Sequence, residues 1–337
     1  MSLAQRNDCH HSLQEILEGN DKIPSRDLAV GIMFLSQTMV GVLGNFSLLY
    51  HYFFLRHVKS RLRSIDLILK HLFIANSLVI LSKGPSQTMV AFGSKHLFSE
   101  FSCRLILYVL RVGRAVSIFT TCLLSVFQTI IISPMDSCWK NLKTKAPKYI
   151  GFSMSLCWLL QIGVHFTFPL YVWYVSGKSD SRNITRKRHM ALCSVVDYGT
   201  IMGSAYIALV VFPEVSFIVL TIWASGSMIF VLYRHKQQVK HIHSTNVSST
   251  SSESRATKSI LLLVSTFVSF YIISSTFHIC SALSYNLSWW LVRISGLISV
   301  CFPTISPFLI MSQDSSISMV WFVWIRNRKS PLLLRNI

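Results

Sequence analysis

The chain has 337 residues, of which 51% are hydrophobic and only 13% charged, and its mean hydropathy is +0.49. Because soluble domains carry about 25% charged residues, this composition argues against a soluble protein and predicts one that crosses a membrane several times. The net charge of +19 does not indicate a nucleic-acid partner, because the sequence contains no soluble basic domain to carry it.

Seven stretches are apolar and long enough to cross a bilayer, which takes about 20 residues per helix. We expect an all-α membrane protein, a bundle of seven transmembrane helices over residues 29–311, with tails at 1–28 and 312–337. The segments 135–148 and 234–254 are predicted as a basic loop and a flexible linker. The predicted spans are about 29–54, 64–91, 103–134, 149–174, 205–233, 259–283 and 290–311.

Basic residues concentrate in the segments that follow the first, third, fifth and seventh spans. These segments lie on one side of a seven-span path, and the positive-inside rule makes that side cytoplasmic. We therefore expect an extracellular amino-terminal tail and a cytoplasmic carboxyl-terminal tail. The outer loop 175–203 is also basic, but it carries the sequon Asn183-Ile184-Thr185, which is useful only outside the cell. Asn183 is the predicted glycosylation site.

The third span, from Cys103 to Pro134, is predicted to be the central helix. Its polar residues recur at steps of three or four and therefore share one helical face. Hydrocarbon cannot solvate such a face, so it must lie against other protein or enclosed water. The residues of this polar stripe are Arg111, Arg114, Ser117, Thr121, Ser125 and Gln128.

Two cysteines are expected on the oxidising side of the membrane, Cys103 at the outer end of the third span and Cys193 in the following outer loop. A disulfide between them would close a loop of about 90 residues and contribute roughly 4 to 5 kcal/mol in the chain-entropy model. Two free thiols are the alternative. The eight cysteines of the chain include no C-x-x-C pair, so no metal site, dithiol site or cofactor is indicated.

Three basic residues are expected in the outer half of the bundle, Lys83 in the second span and Arg111 and Arg114 in the third. Arg114 follows Cys103 by 11 residues, which at 1.5 Å per residue places it about 16 Å deep. An arginine at mid-membrane costs roughly 2.5 to 3.5 kcal/mol, so it requires a partner or a function.

Glu214 in the fifth span is the acid at comparable depth, and it can neutralise at most one of these cations. Two interpretations stay open. In the first, Arg114 and Glu214 form a bridge that joins two spans, while Lys83 extends towards the interface. In the second, the basic residues bind an acid or sulfate group of a small ligand. The pocket residues predicted to accompany them are Tyr108, Ser117, His165 and His278.

Catalysis finds little support in the sequence. No G-x-S-x-G, H-E-x-x-H, paired carboxylates or phosphate-binding loop is present, so we do not expect an enzyme. A transporter or a channel is an alternative, but either would favour internal repeats, paired broken helices or rings of one charge. The two halves of this chain show no such self-similarity.

Several long strings resemble the vomeronasal type 1 receptors, a family of seven-helix G-protein-coupled receptors. They are HLFIAN (71–76), RVGRAVSIFTTCLLSVFQTIIISP (111–134), LKTKAPKYI (142–150), WASGSMIFVLYRHKQQVKHIHS (223–244) and CFPTISPFLIMSQDSSIS (301–318). The resemblance implies a pheromone or odorant receptor in the plasma membrane of vomeronasal sensory neurons. It also implies a small-molecule ligand and coupling to G proteins of the inhibitory Gi/Go class. Bitter-taste receptors are the nearest alternative, but they typically lack the Cys103–Cys193 pairing.

Three positions depart from the rhodopsin-like pattern. Phe127-Gln128 stands where that group has Asp-Arg-Tyr, Asn76 replaces its sodium-binding aspartate, and Ser306-Pro307 replaces its Asn-Pro. The ionic latch and the sodium site of that group are therefore not expected here.

By analogy with other seven-helix receptors, a G protein is expected at the cytoplasmic ends of spans three, five and six. Basic side chains there would face it, although the alternative is that they only set topology and bind anionic lipid headgroups. The residues predicted to face the G protein are Gln128, Arg234, Lys236, Arg255 and Lys258.

Overall fold

The computed structural model describes residues 25–55, 64–93, 100–133, 137–178, 188–190, 193–195, 209, 211–242, 262, 264–274, 276 and 289–312. Six of its helices, α1 to α5 and α7, are long and apolar enough to cross a membrane, and α6 is a shorter apolar helix. The helices are α1 (Ser25–Tyr50, continued by a π-helical turn His51–Leu55), α2 (Ser64–Ala91), α3 (Glu100–Ile132), α4 (Ser137–Lys178), α5 (Phe212–Ile242), α6 (Val264–Ser274) and α7 (Trp289–Met311).

Two short strands lie between α4 and α5. Strand β1 (Arg188–Met190) pairs antiparallel with β2 (Cys193–Val195), with Met190 opposite Cys193. Strand β2 also contacts α3. The two strands, which lie between α4 and α5 in the sequence, therefore pack near α3.

Helix α3 is the central helix, as its polar stripe predicts. Its most apolar window is 67% buried, against 22% for the windows of α4 and α5, and it packs on α2, α4 and α5. In the stripe, Ser117, Thr121, Ser125 and Gln128 are buried against protein. The inference that this face avoids lipid is confirmed.

Two predicted non-helical segments are helical, so those predictions are wrong. The predicted basic loop 135–148 becomes helix from Ser137 onward, as the start of the 42-residue helix α4. The first nine residues of the predicted linker, 234–242, end α5. Hydropathy marks where a chain leaves the membrane but not where its helix ends, and the lysine, leucine, alanine and glutamine residues of these segments are good helix formers. At the start of α4, Lys145 and Lys148 are exposed to solvent.

Small residues allow α2 to approach both of its neighbours closely. A Cβ atom added to Gly113 of α3 would lie 3.1 Å from the carbonyl oxygen of Ala75, and one added to Gly84 of α2 would collide with the side chain of Thr38 on α1. Contacts of this kind replace the hydrophobic driving force that is missing between helices in lipid.

Buried side chains with hydrogen-bonding groups join the helices in the interior. Proline at 307 has no N–H to donate to the carbonyl of Pro303, and the Nδ2 atom of Asn45 donates to that oxygen instead, at 2.9 Å. The indole Nε1 of Trp158 on α4 donates to Nδ1 of His71 on α2 at 3.1 Å. These hydrogen bonds join α1 to α7 and α2 to α4.

Candidate functional site

Three basic side chains lie within the end of the bundle where α2 finishes at Ala91 and α3 begins near Cys103, here called the Cys103 end. Lys83 comes from α2, and Arg111 and Arg114 come from successive turns of α3. All three are half-buried, and Lys83 is within electrostatic range of Arg114. Lys83 and Arg114 repel each other when both are ionised.

Arg114 and Glu214 are brought together through a tyrosine. The Tyr271 hydroxyl of α6 donates a hydrogen bond to Oε2 of Glu214 on α5 at 2.7 Å. The guanidinium carbon of Arg114 lies 4.8 Å from the centroid of the Tyr271 ring, in a cation–π contact, and the guanidinium also reaches the tyrosine hydroxyl. Three helices therefore meet at one phenol group.

A second group of side chains joins α3 to α4. The Tyr108 hydroxyl donates to the carbonyl oxygen of Ile162 at 3.2 Å, and its ring meets that of Phe166 edge-on with centroids 6.2 Å apart. His165 is 2% exposed, its Nδ1 atom has no hydrogen-bond partner among the described residues, and it lies within electrostatic range of Arg111. Because Arg111 and Arg114 share α3, this group and the Tyr271 group are neighbours.

Ser117 lies one turn deeper and belongs to a hydrogen-bonded network of its own. Its hydroxyl donates to Oδ1 of Asn76 at 2.9 Å, and Nδ2 of Asn76 donates to the hydroxyl of Ser306 at 2.9 Å. The network links α3, α2 and α7 at full burial. Because the side chain at position 76 is a neutral amide, it can donate to Ser306 and accept from Ser117 at the same time.

Sequence reasoning missed two residues of the Cys103 end. Tyr271 gave little signal, because it is one aromatic residue in an apolar span. Arg293 of α7 had a clear signal, a charge within a predicted span. The residue is 6% exposed, and its guanidinium lies 4.0 Å from the carboxylate of Asp27 on α1 and donates to Oε1 of Gln87 at 3.5 Å. Asp27 lies in the predicted tail 1–28, but α1 begins at Ser25 and includes it.

Cys103 is disulfide-bonded in the structure, and strand β2, which lies against α3, begins with Cys193. Cys122, Cys157 and Cys301 are free thiols. The pairing of Cys103 with Cys193 stays a prediction, because the side chain of Cys193 lies outside the described residues.

Other predicted site residues also fall outside the description. Asn183, His278, Arg255 and Lys258 are not among the described residues, and for Lys236 only the backbone in α5 is described.

At the opposite end of the bundle, Gln128 is buried at 5% exposure and Arg234 is exposed on α5. The neighbour of Gln128, Thr129, donates its hydroxyl to the carbonyl oxygen of Ala224 at 2.9 Å. This contact ties α3 to α5 where a cytoplasmic partner is expected.

Comparison with known proteins identifies the family. Residues 28–323 match the vomeronasal organ pheromone receptor family. The chain is 50% identical over 303 residues to vomeronasal type-1 receptor 4 of Homo sapiens, covering 90% of this chain and 99% of the relative. It is 49% identical over 314 residues to vomeronasal type-1 receptor 3 of Homo sapiens, covering 92% and 99%. Vomeronasal type-1 receptor 90 of Rattus norvegicus is 31% identical over 289 residues, covering 85% and 91%.

These matches confirm the resemblance and favour a receptor over a transporter, a channel or an enzyme. Together with the apolar helices they make the protein a multi-pass protein of the cell membrane. The chain belongs to the vomeronasal organ pheromone receptor family, a family of chemosensory receptors.

Proposed function

We propose that the chain is a seven-helix G-protein-coupled receptor that binds a small anionic pheromone or odorant at the Cys103 end of its bundle. The observation that carries this proposal is the charge balance there. Arg111 and Arg114 bring two positive charges and Lys83 adds a third basic group, while Glu214 brings one negative charge and is engaged by Tyr271. The cluster keeps a net positive charge even with Glu214 fully ionised.

A carboxylate or sulfate group on a ligand would fit this charge. Arginine side chains bind such groups through paired, charge-assisted hydrogen bonds. The apolar and aromatic residues beside the cations, Tyr108 and Phe166 among them, are suited to the hydrocarbon part of a small molecule. His165, whose Nδ1 atom is buried without a partner in the described structure, could turn that atom towards a polar group of the ligand.

The alternative is that the cluster is purely structural, with Glu214 and Tyr271 holding α5 and α6 on α3. The contacts of Arg114 with Tyr271 favour this interpretation for Arg114 alone. Lys83 and Arg111 place further basic groups beside that junction. We therefore propose the structural role for the junction and the ligand-binding role for the three basic residues together.

A double substitution, Lys83→Ala with Arg111→Ala, separates the two interpretations. The probes are octanoate, octanesulfonate, octylamine and octanol, which share a chain length and differ in the head group. In cells that express the receptor with a Gi/Go readout, we expect the two acids to activate the wild type. The substitution should weaken that response about 100-fold or more, since each charge-assisted hydrogen bond contributes about 1.5 to 3 kcal/mol.

The matched control is Lys145→Ala with Lys148→Ala, which removes the same charge from exposed positions on α4. It should leave the response to the acids and the surface expression unchanged. If octylamine is the better agonist, or if the double substitution in the cluster leaves acid potency unchanged, the proposed ligand class is wrong.

The remaining parts of the proposal concern topology and coupling. We place the Cys103 end and the amino terminus outside the cell, with a glycan on Asn183 and a disulfide from Cys103 to Cys193. The disulfide-bonded state of Cys103 and the position of Cys193 at the start of β2 support that pairing. The opposite end would bind a G protein of the Gi/Go class between α3, α5 and α6. The residues proposed to face it are Gln128, Arg234, Lys236, Arg255 and Lys258.

A further inference from the structure

Tyr271 differs from most other hydroxyl-bearing residues of the sixth helix because its hydroxyl donates to a different helix. Most described Ser and Thr side chains near it donate to carbonyl oxygens of their own helix, namely Ser265, Thr266, Ser269 and Thr276. The hydroxyl of Tyr271 instead crosses to Glu214 on α5 at 2.7 Å. This bond is a polar contact that holds α6 against α5 at the depth of the cationic cluster.

The same phenol is in contact with the cation that an anionic ligand needs. The guanidinium of Arg114 lies over the Tyr271 ring at 4.8 Å and reaches its hydroxyl. A hydroxyl that accepts from a cation becomes a better donor, because hydrogen bonds in a chain polarise one another. Engagement of Arg114 by another anion would therefore weaken the bond from Tyr271 to Glu214.

Tyr271 is also coupled to α7 through aromatic rings. Its ring stacks on that of Phe267, one turn away, with centroids 5.9 Å apart. Phe267 in turn meets Phe302 of α7 edge-on at 4.8 Å, inside the main hydrophobic core. Because packed interiors shift between discrete arrangements, a displacement of Tyr271 would change the packing against α7 as well as the contact with α5.

We propose that Glu214 is a built-in counter-ion that competes with the ligand for Arg114 through Tyr271, and that its hydrogen bond with Tyr271 restrains α6 in the resting receptor. The competition rests on the proposed function, since it requires an anionic ligand. The restraint on α6 rests only on the contacts of Tyr271. A ligand that engages Arg114 releases the restraint only as far as it binds the released state more tightly than the restrained state.

The restraint is tested without any ligand, by basal Gi/Go signalling of the full-length receptor at matched surface level. Tyr271→Phe keeps the ring on Phe267 and removes the hydroxyl, while Glu214→Gln keeps an acceptor and removes the charge. Tyr271→Phe breaks the contact and should raise basal signalling by up to about tenfold. Glu214→Gln weakens the contact by removing the charge and should raise basal signalling less, and the double variant should match Tyr271→Phe because the donating hydroxyl is already absent. The control Tyr149→Phe, at an exposed tyrosine of α4, should behave as wild type. Basal signalling at or below the wild-type level in both site variants would overturn the restraint.

The competition is tested with octanoate on Glu214→Gln. Removing the competing charge should lower the half-maximal concentration of octanoate about tenfold more than that of octanol, because the loosened restraint favours every agonist whereas the lost charge favours only an anion. If octanoate activates the wild type but its half-maximal concentration falls no further than that of octanol in Glu214→Gln, the competition is wrong and the proposed ligand class survives. If octanoate has no effect on the wild type, the ligand class fails and the competition fails with it, while the basal measurement still decides the restraint.

Discussion

Replacing Asn76 by alanine should destabilise the receptor more than replacing the adjacent buried Ser77 by alanine, because the amide of Asn76 links three helices. Asn76 is fully buried, accepts from Ser117 and donates to Ser306, both at 2.9 Å. Interhelical hydrogen bonds in membranes contribute about 0.6 kcal/mol on average and up to about 1.7. The loss of two such bonds therefore amounts to about 1 to 3 kcal/mol, and the melting temperature should fall by a few degrees.

The assay is thermal unfolding of the purified receptor in detergent, compared with the variant Ser77→Ala. Ser77 is adjacent, similarly buried, and donates only within its own helix, to the carbonyl oxygen of Phe73 at 2.8 Å. Its loss should cost less than about 0.5 kcal/mol, since the carbonyl keeps its helical partner. If the two variants melt at the same temperature, the hydrogen bonds of Asn76 do not stabilise the packing of α2 on α3 and α7.

Three further predictions concern the disulfide, the glycan and the G protein. Cys193→Ser should remove a crosslink worth roughly 4 to 5 kcal/mol and lower surface expression measured by flow cytometry, and unchanged expression would argue against the bond. Asn183→Gln should abolish the mobility shift that glycosidase treatment causes on a gel, whereas Asn286→Gln, at the second sequon Asn286-Leu287-Ser288, should preserve it, and the reverse pattern would contradict the assignment. Arg255→Ala with Lys258→Ala should reduce agonist-driven nucleotide exchange on a Gi/Go heterotrimer several-fold at normal surface level, since desolvated charged contacts contribute about 2 kcal/mol or more. If nucleotide exchange is undiminished, these two residues do not contact the G protein and serve only to set the membrane topology.

Helices buried on one face could be predicted from the sequence because burial leaves a periodic signal. The span predicted at 64–91 agrees in both bounds with α2, Ser64–Ala91, since its hydropathy changes sharply at each end. The polar stripe of α3 correctly predicted its central position. The ends of α4 and α5 could not be predicted this way, because a helix that continues into water needs no apolar residues to do so.

Contacts between distant segments could be predicted only where one partner carried a local signal. The proline at 307 indicates that the carbonyl of Pro303 needs a donor, but only the packing of α1 on α7 identifies that donor as Asn45. Tyr271 and Glu214 are 57 positions apart in the sequence, and the length of the helix that lies between them, the end of α5, was not predicted correctly. Their relative depth in the membrane, and hence their hydrogen bond, could not be derived from spacing.

The cations of α2 and α3 are proposed to form an anion-binding site, and an experimental structure of the receptor with octanesulfonate bound would locate the anion. We predict that the sulfonate oxygens lie at hydrogen-bonding distance, about 2.7 to 3.2 Å, from nitrogen atoms of Arg111 or Arg114, with Lys83 beside them. The octyl chain should extend towards Tyr108 and Phe166. A sulfonate bound elsewhere, with the three basic side chains turned away from it, would contradict the account.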